Sequence, residues 1–149
     1  MSAYEALRLE NQLCFALYAA TNAITRNYRG PLGELGLTYP QYLVLVALLN
    51  VPSQTSGELA RALKLDAGTL TPMLKRLSAA GLIERTRRTG DERVIDNRLT
   101  SKGYDLRDGL LEAQRQVACH THLTPAEVEE LRSDLHCLAD NLCAVSEPV

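Results

Sequence analysis

The 149-residue chain carries four cysteines, at positions 14, 119, 137 and 143, and a cysteine thiolate can react with a peroxide. No basic flank followed by an apolar core opens the sequence, so no secretory signal is expected and the protein is predicted to be cytoplasmic. Reduced thiols are the rule in that compartment, and a structural disulfide framework is therefore not expected.

Cys14 lies in the middle of a predicted N-terminal helix, Tyr4 to Arg29, on a stripe that also carries Tyr18 and Tyr28. A lone cysteine on such a stripe is most often a small buried hydrophobe. A reactive thiol is the other interpretation, and the residues of this helix alone leave both open.

No metal or cofactor is expected. His120, His122 and His136 lie near Cys119 and Cys137, but their spacing matches no zinc pattern and the chain has no CxxC pair. No apolar run approaches the ~18–20 residues of a membrane span, so no membrane association is expected.

The middle of the chain predicts a helix-turn-helix. Thr55 and Glu58 fit a capping box that opens a short helix, Ser56 to Leu63. Asp66 is a good N-cap for a second helix that runs to Ala79 or Ala80. Two short helices joined by a tight turn, the second amphipathic and basic, are typical of this DNA-binding motif.

A β-hairpin is predicted next. Strands at Leu82–Arg85 and Val94–Leu99 bracket a charged tip, Arg87–Glu92, as in the wing of a winged helix. The second strand is weak by propensity, because Asp96 and Asn97 are poor strand formers. Two further helices are predicted, from Thr100 to about Ala118 and from Thr124 to about Cys143.

The order of helix, turn, basic helix and charged hairpin favours double-stranded DNA as a partner, whereas the charge pattern alone would also fit an ordinary solvated surface. The chain has a formal charge of −2, but residues 61–93 sum to +4 and residues 104–149 to −6. Arg93 in the wing could reach a minor groove, with Asp91 holding its guanidinium. The second helix would present small and basic residues to the major groove and the phosphates. These residues are Gly68, Thr69, Thr71, Pro72, Lys75 and Arg76.

The stretch from Ser56 to Thr100 resembles the multiple-antibiotic-resistance regulator (MarR) family of winged-helix proteins. In that family, an aspartate and an arginine of the wing have the roles given above to Asp91 and Arg93. The sequence departs from the family just afterwards, at Val94, Asp96 and Asn97. The residues that carry the resemblance are Leu59-Ala60, Leu70, Leu74, Leu77, Gly81-Leu82-Ile83, Asp91-Glu92-Arg93, Leu99-Thr100 and Gly103.

Three segments resemble the organic-hydroperoxide-resistance regulators within that family: Leu9–Tyr18, Leu37–Tyr42 and Gly68–Pro72. The resemblance implies that Cys14 is a peroxide sensor whose sulfur accepts hydrogen bonds from Tyr28 and Tyr39 of the other subunit. It also implies that Cys119, by its position, is the resolving cysteine of a two-cysteine subgroup and closes an intersubunit disulfide with Cys14.

Helix geometry agrees with a site shared between two chains. Cys14 and Tyr28 are fourteen residues apart, roughly 21 Å along a helix, so they cannot touch within one chain. They can meet if the first helix of a second copy crosses antiparallel, as a two-fold dimer allows. Phenolic hydroxyls directed at the sulfur would then stabilise the reactive thiolate.

We therefore expect one domain, 1–149, mainly α with a small β-hairpin wing: a winged helix-turn-helix at about 55–100, with dimerisation helices at 1–35 and 101–149. The expected function is a homodimeric repressor that binds a pseudo-palindromic operator and dissociates when organic hydroperoxide oxidises Cys14. Two alternatives remain: a repressor released by a small phenolic ligand, with Cys14 as packing, and a thiol peroxidase. The regulator interpretations predict that the chain is not an enzyme.

Overall fold

A computed structural model of the chain describes residues 4–145, which are mostly helical with one small antiparallel sheet. Two 3-10 turns, Glu5–Leu7 and Leu9–Asn11, come first. The helices are α1 (Leu13–Glu34), α2 (Tyr39–Asn50), α3 (Ser56–Leu63), α4 (Ala67–Ala79), α5 (Ser101–Asp105), α6 (Arg107–His120) and α7 (Pro125–Val145). The strands are β1 (Gln54–Thr55), β2 (Ile83–Arg88) and β3 (Asp91–Leu99). The predicted fold class, mainly helical with a β-hairpin wing, is confirmed.

Helix α1 begins later than the predicted start at Tyr4. The Asn11 side chain donates a hydrogen bond to the carbonyl oxygen of Glu5 (2.8 Å). This bond links the second 3-10 turn to the first. Gln12 is then extended (φ −93°, ψ 118°), so the helix starts at Leu13. Side-chain bonds to nearby backbone therefore outcompete the helix in this segment.

Helix α1 also ends later than the predicted Arg29, because it passes through Gly30 and Pro31 to Glu34. Gly36 adopts φ +70°, and the N–H of Leu37 donates to the carbonyl of Leu32 (2.9 Å). This is a Schellman ending, in which glycine supplies the left-handed residue. Leu32 is fully buried beside that ending, so packing extends the helix past the proline.

The predicted starts of α3 and α4 are confirmed by their caps, and α2 begins with a cap as well. The Thr38 hydroxyl accepts a hydrogen bond from the backbone N–H of Gln41, and the Gln41 side chain accepts one from the backbone N–H of Thr38. This capping box begins α2. Thr55 and Glu58 exchange the same two bonds at the start of α3. Asp66 accepts the backbone N–H three residues on (2.8 Å) and opens α4.

The wing strands are longer than predicted. The predicted charged tip, Arg87–Glu92, lies mostly within paired strands, and only Thr89 and Gly90 form the turn. Gly90 has φ +96°, which permits a tight reversal that brings Arg88 opposite Asp91. A register irregularity between Arg87 and Arg88 then changes the direction of the side chains near the tip.

Strand β1, which was not predicted, completes the sheet in the order β1-β3-β2. Gln54 pairs with Asn97, and Thr55 with Asp96, both antiparallel. The two poor strand formers are held by their side chains. Asp96 accepts two hydrogen bonds from Arg88 (2.8 and 3.1 Å), and Asn97 is fully buried and hydrogen-bonded. Specific side-chain bonds thus replace strand propensity here.

The helix predicted from Thr100 to Ala118 is interrupted at Leu106, where the N–H bonds to the carbonyl of Gly103 as in a 3-10 turn. A Cβ at Gly103 would lie only 2.2 Å from the carbonyl oxygen of Leu82. The short helix α5 therefore packs directly on backbone at the base of the wing, and only glycine fits there.

The described chain falls into two compact units, with the boundary after Gln114. The predicted dimerisation segment 101–149 is divided between them. In the second unit, Thr124 and Glu127 form the predicted capping box of α7, with Pro125 as first helical residue. No residue of α7 is buried, although an apolar stripe runs along it.

The core of the first unit lies where α2, α3, α4 and the sheet meet. Its most deeply buried apolar residues are Leu32, Val44, Leu45, Leu48, Leu59, Leu70, Leu74, Leu77 and Ile83. Between residues 4 and 145, no single helix has the length and apolar character needed to cross a membrane; α1 and α2 pass that test only as a pair bent by 75°.

Candidate functional site

Helix α4 is oriented by a buried apolar stripe, Leu70, Leu74 and Leu77. Because these three residues bind the helix to the core, the opposite face is turned to solvent. The predicted DNA-contacting residues lie on that face, all exposed except Thr71, which is half-buried: Gly68, Thr69, Thr71, Pro72, Lys75 and Arg76. The structure therefore brings this predicted set together on one surface.

Thr69 has a structural bond that the sequence analysis did not foresee. Its hydroxyl donates to the Asp66 carboxylate (2.9 Å), while its backbone N–H donates to the same carboxylate. These bonds hold the pKa of Asp66 below its ordinary value. Asp66 therefore remains an anion at the N-terminus of α4, where negative charge is favourable.

In the wing, Asp91 and Arg93 are both exposed and close in space. Their contact differs from the expected one, because the Asp91 carboxylate accepts the backbone N–H of Arg93 (3.1 Å) and not its guanidinium. The wing's ion pair joins Arg88 to Asp96 (2.8 Å). That pairing holds the pKa of Asp96 below its ordinary value.

Cys14 is the second residue of α1 and not a mid-helix residue, since the helix starts at Leu13. Its side chain is exposed, and so are the neighbouring Leu13 (61% exposed) and Phe15 (40%). Within one chain Cys14 is therefore not a buried packing residue. It lies in a solvent-facing apolar patch at the first turn of the helix.

Tyr28 and Tyr39 pack against each other with ring centroids 4.9 Å apart. Tyr42, which the sequence analysis did not single out, completes the cluster at 5.2 Å from Tyr28 and 5.8 Å from Tyr39. The capping box that begins α2 positions Tyr39 as the first residue of that helix. The signal for Tyr42 was its spacing of three residues from Tyr39, which puts both on one helix face.

The environment of Tyr28 and Tyr39 keeps these two phenols protonated. Burial, with smaller contributions from Tyr42 and Tyr39, raises the pKa of Tyr28 far above its ordinary value. Burial and Tyr42 likewise raise the pKa of Tyr39. Because neutral phenol is an O–H donor, both residues can donate to an anionic acceptor over the whole range in which thiols ionise.

The other three cysteines lie in the second unit and are exposed. Cys119 is the next-to-last residue of α6, as its predicted position near a helix end requires. Cys137 and Cys143 are on α7, where Cys137 accepts a weak hydrogen bond from Asn141 (3.7 Å). No group of three or more histidine, cysteine or acidic side chains within residues 4–145 is arranged to hold a metal ion.

Comparison with known proteins gives a family and several relatives. The model of the MarR family matches residues 37–95. The chain is 37% identical, over 139 residues, to the organic hydroperoxide resistance transcriptional regulator of Bacillus subtilis (strain 168). That match covers 93% of this chain and 95% of the relative.

Two solved structures of the regulator AbfR are also similar. Reduced AbfR bound to DNA has a TM-score of 0.81 at 34% identity, covering 96% of this chain and 98% of that one. Disulfide-formed AbfR has a TM-score of 0.65 at 38% identity, covering 91% and 96%. AbfR thus exists in a DNA-bound reduced form and in a disulfide form.

Proposed function

This chain belongs to the MarR family and is a transcriptional regulator of that type; we propose that it is a homodimeric repressor that senses organic hydroperoxide through Cys14. In this proposal the reduced dimer binds a pseudo-palindromic operator in double-stranded DNA. The two recognition helices α4 enter successive major grooves, about 34–36 Å apart. Oxidation of Cys14 changes their separation, and the operator is released.

The DNA-contacting surface combines helix α4 and the wing. Thr71 and Pro72 have the small size that close approach to base edges requires, and Lys75 and Arg76 are exposed cations for phosphates. Thr69 supports the surface through the Asp66 cap. At the wing, Asp91 holds the backbone of Arg93 and leaves the guanidinium available for the minor groove.

The observation that supports the sensor proposal is the position of Cys14 and Tyr28 on one unbroken helix, with Tyr39 of α2 packed against Tyr28. Cys14 is at the first turn of α1 and Tyr28 is fourteen residues on, roughly 21 Å away along the helix. One chain therefore has an exposed thiol at one end and protonated phenol donors at the other. Antiparallel crossing of two α1 helices brings the thiol of each chain to Tyr28 and Tyr39 of its partner.

Exposed apolar side chains on the terminal helices support this homodimer. Leu13 and Tyr18 of α1 are 61% and 65% exposed, and Leu131 and Leu142 of α7 are 48% and 61%. Helices with several exposed large apolar side chains are uncommon on a monomer and are typical of a subunit interface. We assign dimerisation to residues 1–35 and 101–149.

The chemistry needs no cofactor. The Cys14 thiolate attacks the terminal peroxide oxygen, the O–O bond breaks, and an alcohol leaves as the sulfur becomes a sulfenic acid. Phenolic donors stabilise the anionic sulfur before the attack. The Cys119 thiolate of the partner subunit then attacks that sulfur, forming a disulfide and releasing water. Because each Cys14 reacts once and is not turned over in this scheme, we propose a sensor and not an enzyme. We place it in the cytoplasm, where thiols are kept reduced.

The test follows operator binding and thiol state in the same samples. Treatment with cumene hydroperoxide is expected to release DNA and to give a reducible dimer on a denaturing gel. Cys14→Ser should bind DNA and ignore peroxide, whereas Cys119→Ser should stop at the sulfenic acid. Cys137→Ser is the matched control and should respond normally. Oxidation of Cys14 with unchanged operator affinity contradicts the proposal, and sustained peroxide turnover would indicate a peroxidase.

A cavity in the first unit favours one second candidate, release by a small phenolic ligand. Its volume is about 510 Å³, and its apolar lining includes Tyr42, Val46, Tyr104 and Leu110, with Arg107 as a charged group. An aromatic ring with a hydroxyl or carboxylate would fit such a lining. Under this candidate, Cys14→Ser would still release DNA when the phenol is added.

A further inference from the structure

A second cleft, of about 500 Å³, lies between the start of α3, helix α4 and the wing. It contains three arginines and one carboxylate, Glu58. The backbone and hydroxyl of Thr55 bind that carboxylate, which keeps its charge at the N-terminus of α3. The cleft is therefore rich in guanidinium groups: Arg85, Arg88 and Arg93.

The walls of this cleft belong to both proposed DNA-contacting elements. Thr71 of the recognition helix lines one side, and Arg93 of the wing lines the other. A duplex that contacts both elements must pass over the mouth of the cleft. The part of DNA that faces a protein between two such contacts is the sugar–phosphate backbone, and its phosphates attract arginine.

Arg85 is held in the cleft by a buried amide. Its Nε donates to Oδ1 of Asn97 (3.3 Å), and Asn97 is 0% exposed. The Nδ2 of the same amide donates to the carbonyl of Gln54 (3.1 Å) and to the hydroxyl of Ser56 (3.2 Å). The Nδ2 group of Asn97 thus connects β3 to β1 and to the first residue of α3, and its Oδ1 accepts the hydrogen bond from Arg85.

Asn97 is a buried polar side chain at a strand position that is usually apolar. Burying an amide destabilises the fold unless its hydrogen bonds are all made. Both the oxygen and the nitrogen of the Asn97 amide are hydrogen-bonded, and the Arg85 guanidinium is held through its Nε. Arg85 still has its two terminal nitrogens as donors, and Ser56, having accepted from Asn97, retains its hydroxyl proton as a donor. A phosphate oxygen is the acceptor that suits both.

We propose that Arg85 contacts a DNA backbone phosphate in this cleft, and that Asn97 is the positioning residue that holds it there. The inference rests on the proposed DNA binding and deepens it. Arg88 is the less suitable partner, since its guanidinium is already engaged by Asp96.

The experiment measures DNA affinity against chloride concentration for two probes, a duplex selected by the protein from a random pool and a mixed-sequence duplex. Loss of one phosphate contact lowers the salt slope by about 0.9, so a two-fold dimer of Arg85→Ala should lose about 1.8. Because phosphates carry no sequence, both duplexes should weaken by the same factor. Arg85→Lys keeps the charge and should retain most of the slope.

Asn97→Leu keeps the branched side-chain shape and removes the amide, and it should lower the slope as Arg85→Ala does. The double variant should then resemble either single one, because the two residues act through one contact. Arg98→Ala is the matched control for loss of an arginine. Arg98 is next to Asn97 on β3, donates a hydrogen bond to Ser53 and does not line the cleft. Its slope should be unchanged.

Two results overturn the inference: an Arg85→Ala slope equal to that of the wild type, or an Asn97→Leu protein with weaker binding but an unchanged slope, which would make Asn97 merely structural. A wild-type protein that binds neither duplex would instead overturn the proposed function. The Arg85 variants test the phosphate contact whether or not Asn97→Leu folds.

Discussion

The DNA-reading region and the terminal helices of this protein differ in how much apolar surface a single chain buries. In the helix-turn-helix, Leu70 and Leu74 are 1% and 0% exposed. In α1 and α7, Leu13 and Leu142 are each 61% exposed. The first region is complete within one chain, whereas the apolar faces of the terminal helices remain uncovered.

The polar groups show the same contrast. Caps at Thr55 and Asp66 and the buried amide of Asn97 are all satisfied inside the winged helix-turn-helix. Of the groups proposed to sense peroxide, Cys14 and Tyr28 are fourteen residues apart on α1, and Tyr39 is the first residue of α2. Under the proposed function, the DNA-contacting region is complete within one chain, whereas the sensor site is completed by a second subunit.

The largest effect is expected for a substitution on the apolar stripe of α7. Leu131→Lys puts a charge on its apolar stripe, and Leu131 is already half covered in one chain. Two copies should together lose about 1.5–3 kcal/mol of dimerisation free energy, before the cost of burying the ammonium groups is added. Sedimentation should show roughly 10- to 150-fold weaker dimers or more.

Ser133→Lys, an exposed position two residues along α7, is the control for added charge. Its dimer should be unaffected. If both variants remain dimeric at the same concentration, α7 is not part of the interface.

A smaller effect is expected at Gly103, at the base of the wing, in the region whose apolar side chains are buried within one chain. Because a Cβ would lie 2.2 Å from the Leu82 carbonyl, Gly103→Ala must displace α5 from the base of the wing. The free energy of unfolding should fall by about 1–3 kcal/mol in urea titrations. Gly57→Ala, whose Cβ would lie 4.0 Å from its nearest neighbour, should lose none. Equal losses in both variants would contradict this packing argument.

The smallest effect is the acid sensitivity of the α4 cap. Hydrogen bonds from Thr69 lower the pKa of Asp66, so its stabilisation is complete above about pH 4, the ordinary carboxyl value, and is lost as the pH falls through the lower folded-state value. Asp66→Asn keeps a good cap but cannot titrate. Its stability relative to the wild type should therefore improve as the pH is lowered. A constant difference from pH 6 to pH 2 would exclude this role.

The caps explain why much of the fold could be predicted from sequence. Thr38, Thr55, Asp66 and Thr124 mark helix starts through bonds to residues three positions away, which local sequence contains. The start of α1 could not be predicted in this way, because it depends on Asn11 bonding to a carbonyl six residues earlier. That error moved Cys14 from the first turn to the middle of a helix.

The wing shows where long-range contacts decide. Asn97 and Asp96 are unfavourable for a strand until Gln54, Ser56 and Arg88 are in place around them. These partners are distant in sequence, up to 43 residues for Gln54, so no local pattern indicates them. The predicted DNA-contacting residues of α4, by contrast, came from the helix-turn-helix pattern, which is local, and the spacing of the buried leucines places them on one solvent-facing side of the helix.

The central claim is that Cys14 is activated by tyrosines of the partner subunit, and a heterodimer tests it most directly. One subunit carries Cys14→Ser, and the other carries Tyr28→Phe with Tyr39→Phe. The remaining Cys14 then faces intact tyrosines only across the dimer. Intact-mass measurement of its oxidation by cumene hydroperoxide should give the wild-type rate per thiol. A rate as slow as that of the Tyr28→Phe/Tyr39→Phe homodimer would contradict the account.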